Sequence, residues 1–155
     1  MEKKYKLTDE TINVGGKKLC RIEALKDFRD VKNGDKGGFI EDEHNLSHDG
    51  NSWVYGDAMV FDNARVYGDA WVCGGAWVCG DAKIENNSDY IVFKNWWSSG
   101  RYFTWTRSND MWKVGCFSGT GDELIKKAYK DSEKSGREYE RIVKYVEEIK
   151  KDNGI

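Results

Sequence analysis

The chain contains no proline, so its turns fall to glycine, aspartate and asparagine, and 17 of its 155 residues are glycine. No stretch approaches the roughly 18 consecutive apolar residues that a membrane-spanning helix needs. The opening residues, Met-Glu-Lys-Lys-Tyr-Lys, lack the apolar core of a secretory signal, which makes the cytoplasm the expected location and no membrane an expected partner. Histidine is scarce, with only His44 and His48. The four cysteines (Cys20, Cys73, Cys79 and Cys116) form no CxxC pair and stand at no metal-ligand spacing from the histidines. They are expected as reduced, packed thiols, and neither metal nor cofactor is expected. A formal net charge of −2 leaves no global electrostatic footprint for nucleic acid, although a local basic patch stays open.

What the chain does have is aromatic residues, 14% of the total with seven tryptophans, and a repeat. From Ser52 to Asn87 it reads in sixes as SWVYGD, AMVFDN, ARVYGD, AWVCGG, AWVCGD and AKIENN. Each unit sets a small residue (Ser52, Ala58, Ala64, Ala70, Ala76, Ala82) two positions before an aliphatic one (Val54, Val60, Val66, Val72, Val78, Ile84). Positions two apart share a face in a strand, so both point inward. Gly, Asp and Asn then close each unit where the chain turns a corner.

This pattern resembles the hexapeptide-repeat family, whose members wind a left-handed parallel β-helix. The resemblance implies a mainly β fold: a short left-handed parallel β-helix over residues 51–88, an N-terminal hairpin with a degenerate first coil over 1–50, and a small C-terminal α+β appendage over 89–155. If three units make one coil, residues 18 apart stack on one face. Trp53 and Tyr55 then lie under Trp71 and Cys73, and Met59 and Phe61 under Trp77 and Cys79. Arg65 and Tyr67 lie under Lys83 and Glu85. Two outer faces are thus aromatic and apolar, more than a monomer usually exposes. This makes Trp53, Tyr55, Met59, Phe61, Trp71 and Trp77 candidate oligomer contacts, with a homotrimer favoured over a monomer covered by its own helices.

Flanking segments follow other periods. Tyr5, Leu7, Ile12 and Val14 alternate up to Gly15-Gly16, and Leu19, Cys20, Ile22 and Ala24 resume beyond it, which predicts a hairpin. Residues 27–50 form an irregular loop or, preferably, the degenerate coil. After Asn87, the stretches YIVFK, RYFTWTR and MWKVGCF predict an antiparallel meander. Thr120 and Glu123 form a capping-box pattern ahead of a helix over 121–133, and a second apolar stripe predicts a helix over 136–150.

For chemistry, the meander stands out. Arg101, Arg107 and Lys113 interleave with Trp96, Trp97, Tyr102, Trp105 and Trp112. Aromatic faces that stack on bases beside cations that meet phosphates are components of a nucleotide or single-strand site. In RYFTWTR the positions Arg101, Phe103, Trp105 and Arg107 share one face, so these four with Lys113, Trp96 and Trp97 are the candidate ligand- or partner-binding residues. The blander alternative is a packed face with arginines at its rim. Acyl transfer, common among hexapeptide-repeat proteins, would need a histidine base, and nothing near His44 or His48 suggests a pocket. Cys116 sits in GCFSG before a helix start, where a thiolate can be stabilised, yet a packed strand-end cysteine is the simpler reading.

The whole chain also resembles uncharacterised phage and prophage proteins, through Gly37-Gly-Phe-Ile-Glu41, Asn45-Leu-Ser47, the repeat, Thr104-Trp-Thr-Arg107 and Gly115-Cys-Phe-Ser-Gly119. That resemblance implies a non-catalytic accessory protein acting against host antiviral defence, of the anti-CRISPR or immune-signal-sponge kind, by holding a nucleotide or a defence protein. The alternatives are an acyltransferase-like enzyme and a purely structural or assembly protein.

Overall fold

A computed structural model describes residues 2–155. In chain order the strands are β1 (Tyr5–Val14), β2 (Lys17–Ala24), β3 (Lys36–Ile40), β4 (Trp53–Val54), β5 (Met59–Val60), β6 (Arg65–Val66), β7 (Trp71–Val72), β8 (Trp77–Val78), β9 (Lys83–Ile84), β10 (Tyr90–Lys94), β11 (Tyr102–Thr106), β12 (Met111–Val114) and β13 (Phe117–Gly119). Two helices follow, α1 (Gly121–Asp131) and α2 (Glu133–Asp152).

The expected left-handed parallel β-helix is not the architecture found. The strands assemble into a five-stranded mixed sheet of order β1-β2-β3-β5-β8, a four-stranded sheet β10-β11-β12-β13, and two separate two-stranded pairs, β4-β7 and β6-β9. Each repeat strand is only two residues long. Residues 18 apart do pair in parallel, Trp53 with Trp71, Met59 with Trp77 and Arg65 with Lys83, but each face holds only two repeat strands. So short a stack offers too few ladder bonds to stand alone. One face is instead taken over by the N-terminal strands. β1 and β2 pair around Gly15 and Gly16, both at positive φ, and β3 pairs antiparallel with β2 and parallel with β5. Gly37 and Gly38 permit this joint. A Cβ on either would lie 2.5 Å from a backbone carbonyl oxygen, of Val54 or Ala58. The N-terminal hairpin is therefore part of the main sheet rather than an attachment to a helical stack.

Inside the repeat, the six small and six aliphatic positions are all buried and join Tyr5, Ile22, Ile40, Leu46 and Trp53 in one core. Each buried valine contributes about 2 kcal/mol to folding. The segment between β3 and β4 runs beneath this core, with Leu46 opposite Val66.

The four-stranded sheet is a middle layer. Its Tyr90 and Val92 face the repeat core, while Ile91, Phe93, Phe103, Trp105 and Trp112 face the helices. α1 opens on a complete capping box, Thr120 accepting from the Glu123 N–H and Glu123 reaching back to the Thr120 N–H. Leu124, Ala128, Tyr139, Val143 and Val146 complete the second core. No helix among the described residues is long and apolar enough to cross a membrane.

Candidate functional site

The aromatic-basic face expected in the meander is divided between core and surface. Phe103 and Trp105 are each 1% exposed, buried with Trp112 under the helices, and are not free to stack on a ligand. The alternation of β11 was read correctly as to which residues share a face, but the apolar stripes of α1 and α2 occupy that face. Arg107 lies at the far end and pairs with Asp89 at 3.8 Å. Trp97 is half-buried, its indole N–H donating to Ser135 Oγ at 2.9 Å and its ring set edge-on to Tyr139. Trp96 alone is well exposed, with the Lys134 ammonium 4.9 Å from its ring.

The candidate oligomer contacts are mostly packed within their own chain. Trp53 is 1% exposed, covered edge-on by Phe28 and Tyr5 of the same chain. Tyr55 is half-buried and donates to Asp30 Oδ1 at 2.8 Å. Phe61 is buried, and Met59 and Trp77 half-buried, in a cluster with Leu19, Phe39, Ile12 and Val14 of the N-terminal strands. Trp71 keeps 40% exposure, with the Arg29 guanidinium 3.9 Å over its ring. Most of these outer-face side chains pack against their own chain, and Trp71 is the exposed exception.

A different site emerges around the four-stranded sheet, reaching the five-stranded sheet on one side and the helices on the other. Two cavities of about 760 and 810 Å³ share Arg101 and Cys116. The second shares Trp77 with a smaller cavity of about 220 Å³ that Lys113 lines. Together they trace one groove. Its middle is aromatic: Met59 and Trp77 on one side, and on the other Tyr102, half exposed, whose ring lies over Gly75 so closely that a Cβ there would meet it at 3.0 Å. Arg101 crosses the hairpin turn between β12 and β13. Its Nη1 lies close to where a Gly115 Cβ would be, and Gly115 has φ +55°, a conformation that favours glycine.

Each carboxylate that lines the groove has a hydrogen-bond or ion-pair partner. Asp57 binds Arg21 at 3.1 Å, Asp81 accepts from Asn109 at 3.1 Å, and Asp131 pairs with Lys127 at 3.7 Å. Asp62 binds Lys17 at 2.5 Å and accepts from the Gly80 N–H at 3.0 Å. Burial alone would raise the Asp62 carboxyl, but these two hydrogen bonds outweigh it and hold the group below the usual carboxylate range. Arg101 and Lys113, by contrast, form no ion pair with any described residue. The groove therefore presents two cations outside any close ion pair, Lys113 within the field of Asp62, beside aromatic rings, an arrangement suited to an anion bearing a planar ring.

Contrary to the expectation of no pocket near them, both histidines line a separate cavity of about 560 Å³, with their ring nitrogens engaged. His48 accepts from the Lys4 N–H on Nδ1 at 3.1 Å and donates from Nε2 to Glu43 at 2.8 Å, which keeps the Glu43 carboxyl below its ordinary range. His44 Nε2 meets the Asp62 carbonyl oxygen at 2.8 Å. In the groove, burial pushes the Cys79 thiol up to about 11, and Cys116 is exposed. No group of three or more His, Cys, Asp or Glu side chains among the described residues is placed to hold a metal ion.

Of the residues singled out from sequence, Arg101 and Lys113 reach this groove and Trp77 joins them from the repeat. Tyr102 was placed on the other face of β11. Its signal was the odd composition of that face, one tyrosine beside two threonines, because only the threonines are buried. Compared with models of known protein families and with curated proteins, the chain matches none.

Proposed function

We propose that the protein is a non-catalytic binding protein whose groove holds a nucleotide-class ligand. The observation that carries this reading is the pair of cations outside any close ion pair, Arg101 and Lys113, beside the Trp77 and Tyr102 rings. Phosphate on the cations and base on the rings would use both features at once. We take a ligand held this way to be sequestered rather than converted, since neither histidine lines the groove. The resemblance to phage proteins supplies the setting: withdrawal of a nucleotide signal from a host antiviral defence.

The test is calorimetric titration with mononucleotides, cyclic dinucleotides and short oligonucleotides. One class is expected to bind, more weakly as salt rises. Arg101→Ala and Lys113→Ala should each weaken that binding by about tenfold or more, the loss of one charge-assisted contact. Arg107→Ala and Trp96→Ala, outside the groove, should leave it unchanged. Absence of heat with every nucleotide class would sink the reading.

A further inference from the structure

β10 (Tyr90–Lys94) is an edge strand whose outer side is unpaired. Its register with β11 sets which groups face outward. Asp89 accepts from the Arg107 N–H and the Asn95 N–H donates to Arg101, so the odd-numbered residues of β10 make the hydrogen-bonded pairs. By the alternation of an antiparallel ladder, the N–H and C=O groups of Tyr90, Val92 and Lys94 point away from β11. No backbone or side-chain group among the described residues meets them. The other edges are blunted. β1 breaks register between Leu7 and Thr11 and carries Lys6, Asp9 and Glu10. β8 has its Trp77 N–H capped by Thr104, and β13 is three residues long and runs straight into α1. β10 has none of the usual protections: it has no bulge and no proline, and its one charge, Lys94, stands at its end.

We propose that β10 pairs antiparallel with β10 of a second copy of this chain, forming a two-fold dimer with one continuous sheet. The sequence YIVFK is self-complementary for this purpose. Outward-facing residues must meet outward-facing residues, and the register that overlaps all five residues places Val92 opposite Val92 of the partner subunit. Each Lys94 then lies opposite a Tyr90, and each Ile91 opposite a Phe93. Registers that bring the two lysines together shorten the overlap and oppose like charges. The chosen one forms roughly six new backbone hydrogen bonds. It also joins the Ile91 and Phe93 sides of the two second cores, where Tyr145, half exposed, already stands edge-on to Phe93 at 6.2 Å. This surface is separate from the ligand groove, and either can hold without the other.

Sedimentation velocity of the full chain over a concentration series tests the pairing, with Lys94→Pro and Lys94→Ala beside the parent. Proline at 94 deletes one outward N–H while leaving every β10–β11 bond in place, and the Lys94 side chain is exposed. The parent and Lys94→Ala should be dimers, and Lys94→Pro should dissociate at least about tenfold more readily. In parallel, hydrogen exchange at the Val92 and Lys94 amides of the parent should slow as concentration rises, a readout that needs no variant to fold. A parent that stays monomeric, a parent that is trimeric, or a dimer in which those two amides remain unprotected overturns the proposal.

Discussion

Lys4 carries its ammonium fully out of solvent, to a place where only uncharged acceptors wait. Its Nζ donates to the Ser52 carbonyl at 2.6 Å, with Ser52 Oγ at 3.3 Å and the Gly50 carbonyl at 3.5 Å, beside the Phe28 ring. Burial first, then the charge of Lys26, pulls its pKa from 10.5 down to about 8, against the attraction of Asp49 and Asp69. A cation whose folded pKa lies below its unfolded value costs stability while charged. Between about pH 8 and 10.5 the unfolded chain binds more protons, so stability rises with pH there. The expected gain from about pH 8 to 9 is on the order of 1 kcal/mol, or roughly two to four degrees in Tm. Above about pH 9 the buried Cys79 thiol begins to act in the opposite sense, because the unfolded chain loses that proton first. Thermal melts across this range should show the rise in the parent and not in Lys4→Met; parallel curves would mean that the fold does not neutralise the lysine. Nothing in Glu-Lys-Lys-Tyr-Lys announced this burial, since a lysine among charges reads as solvated and the acceptors come from nearly fifty residues away.

At the level of elements, the repeat ends because its last row of N–H groups is capped by side chains rather than by another strand. Trp71 N–H donates to Asn87 Oδ1, Cys73 N–H to the Tyr90 hydroxyl, Trp77 N–H to Thr104 Oγ1, Lys83 N–H to Ser108 Oγ, and Glu85 N–H to Asp89 Oδ2. Tyr90 in turn donates to the Trp71 carbonyl. Thr104 is 1% exposed, so Thr104→Val keeps the shape but orphans a buried donor, with an expected cost of about 1–3 kcal/mol in urea denaturation. Ser108→Ala, at an exposed position, should cost less. The sequence made the local elements legible, because hairpin turn, pairing distance and capping box each lie within a few residues or one repeat period. It did not show this row of caps. Asn, Ser, Thr and Asp in a connecting stretch read simply as turn formers, and only the fold reveals which backbone groups they meet. The same limit applies to the aromatic rows: residues 18 apart disclosed them, whereas Phe28, Arg29 and Leu19, which pack against them, follow no period.

Across the whole molecule, three layers stack in chain order: the repeat core, the four-stranded sheet and the helix pair. The aromatic middle of the groove lies at the first junction, its Met59 and Trp77 side belonging to one layer and its Arg101, Tyr102 and Lys113 side to the next. Half of the site was therefore legible as a cluster of cations and rings in the meander. The other half was not, because Trp77 reaches it only through the stacking of layers. Beyond Tyr90 and Val92, which pack on the repeat core, that junction is fastened by the single hydrogen bonds of the cap. Deuterium should consequently enter the Trp71, Cys73, Trp77, Lys83 and Glu85 amides together, and before those of Trp53, Tyr55, Met59 and Phe61 one row below; simultaneous labelling of both rows would show that the junction does not part on its own. The caps thus behave as a clasp: the two jaws of the groove spread when it slips, and a captive ligand, bridging both jaws, would hold it shut and lengthen its own stay.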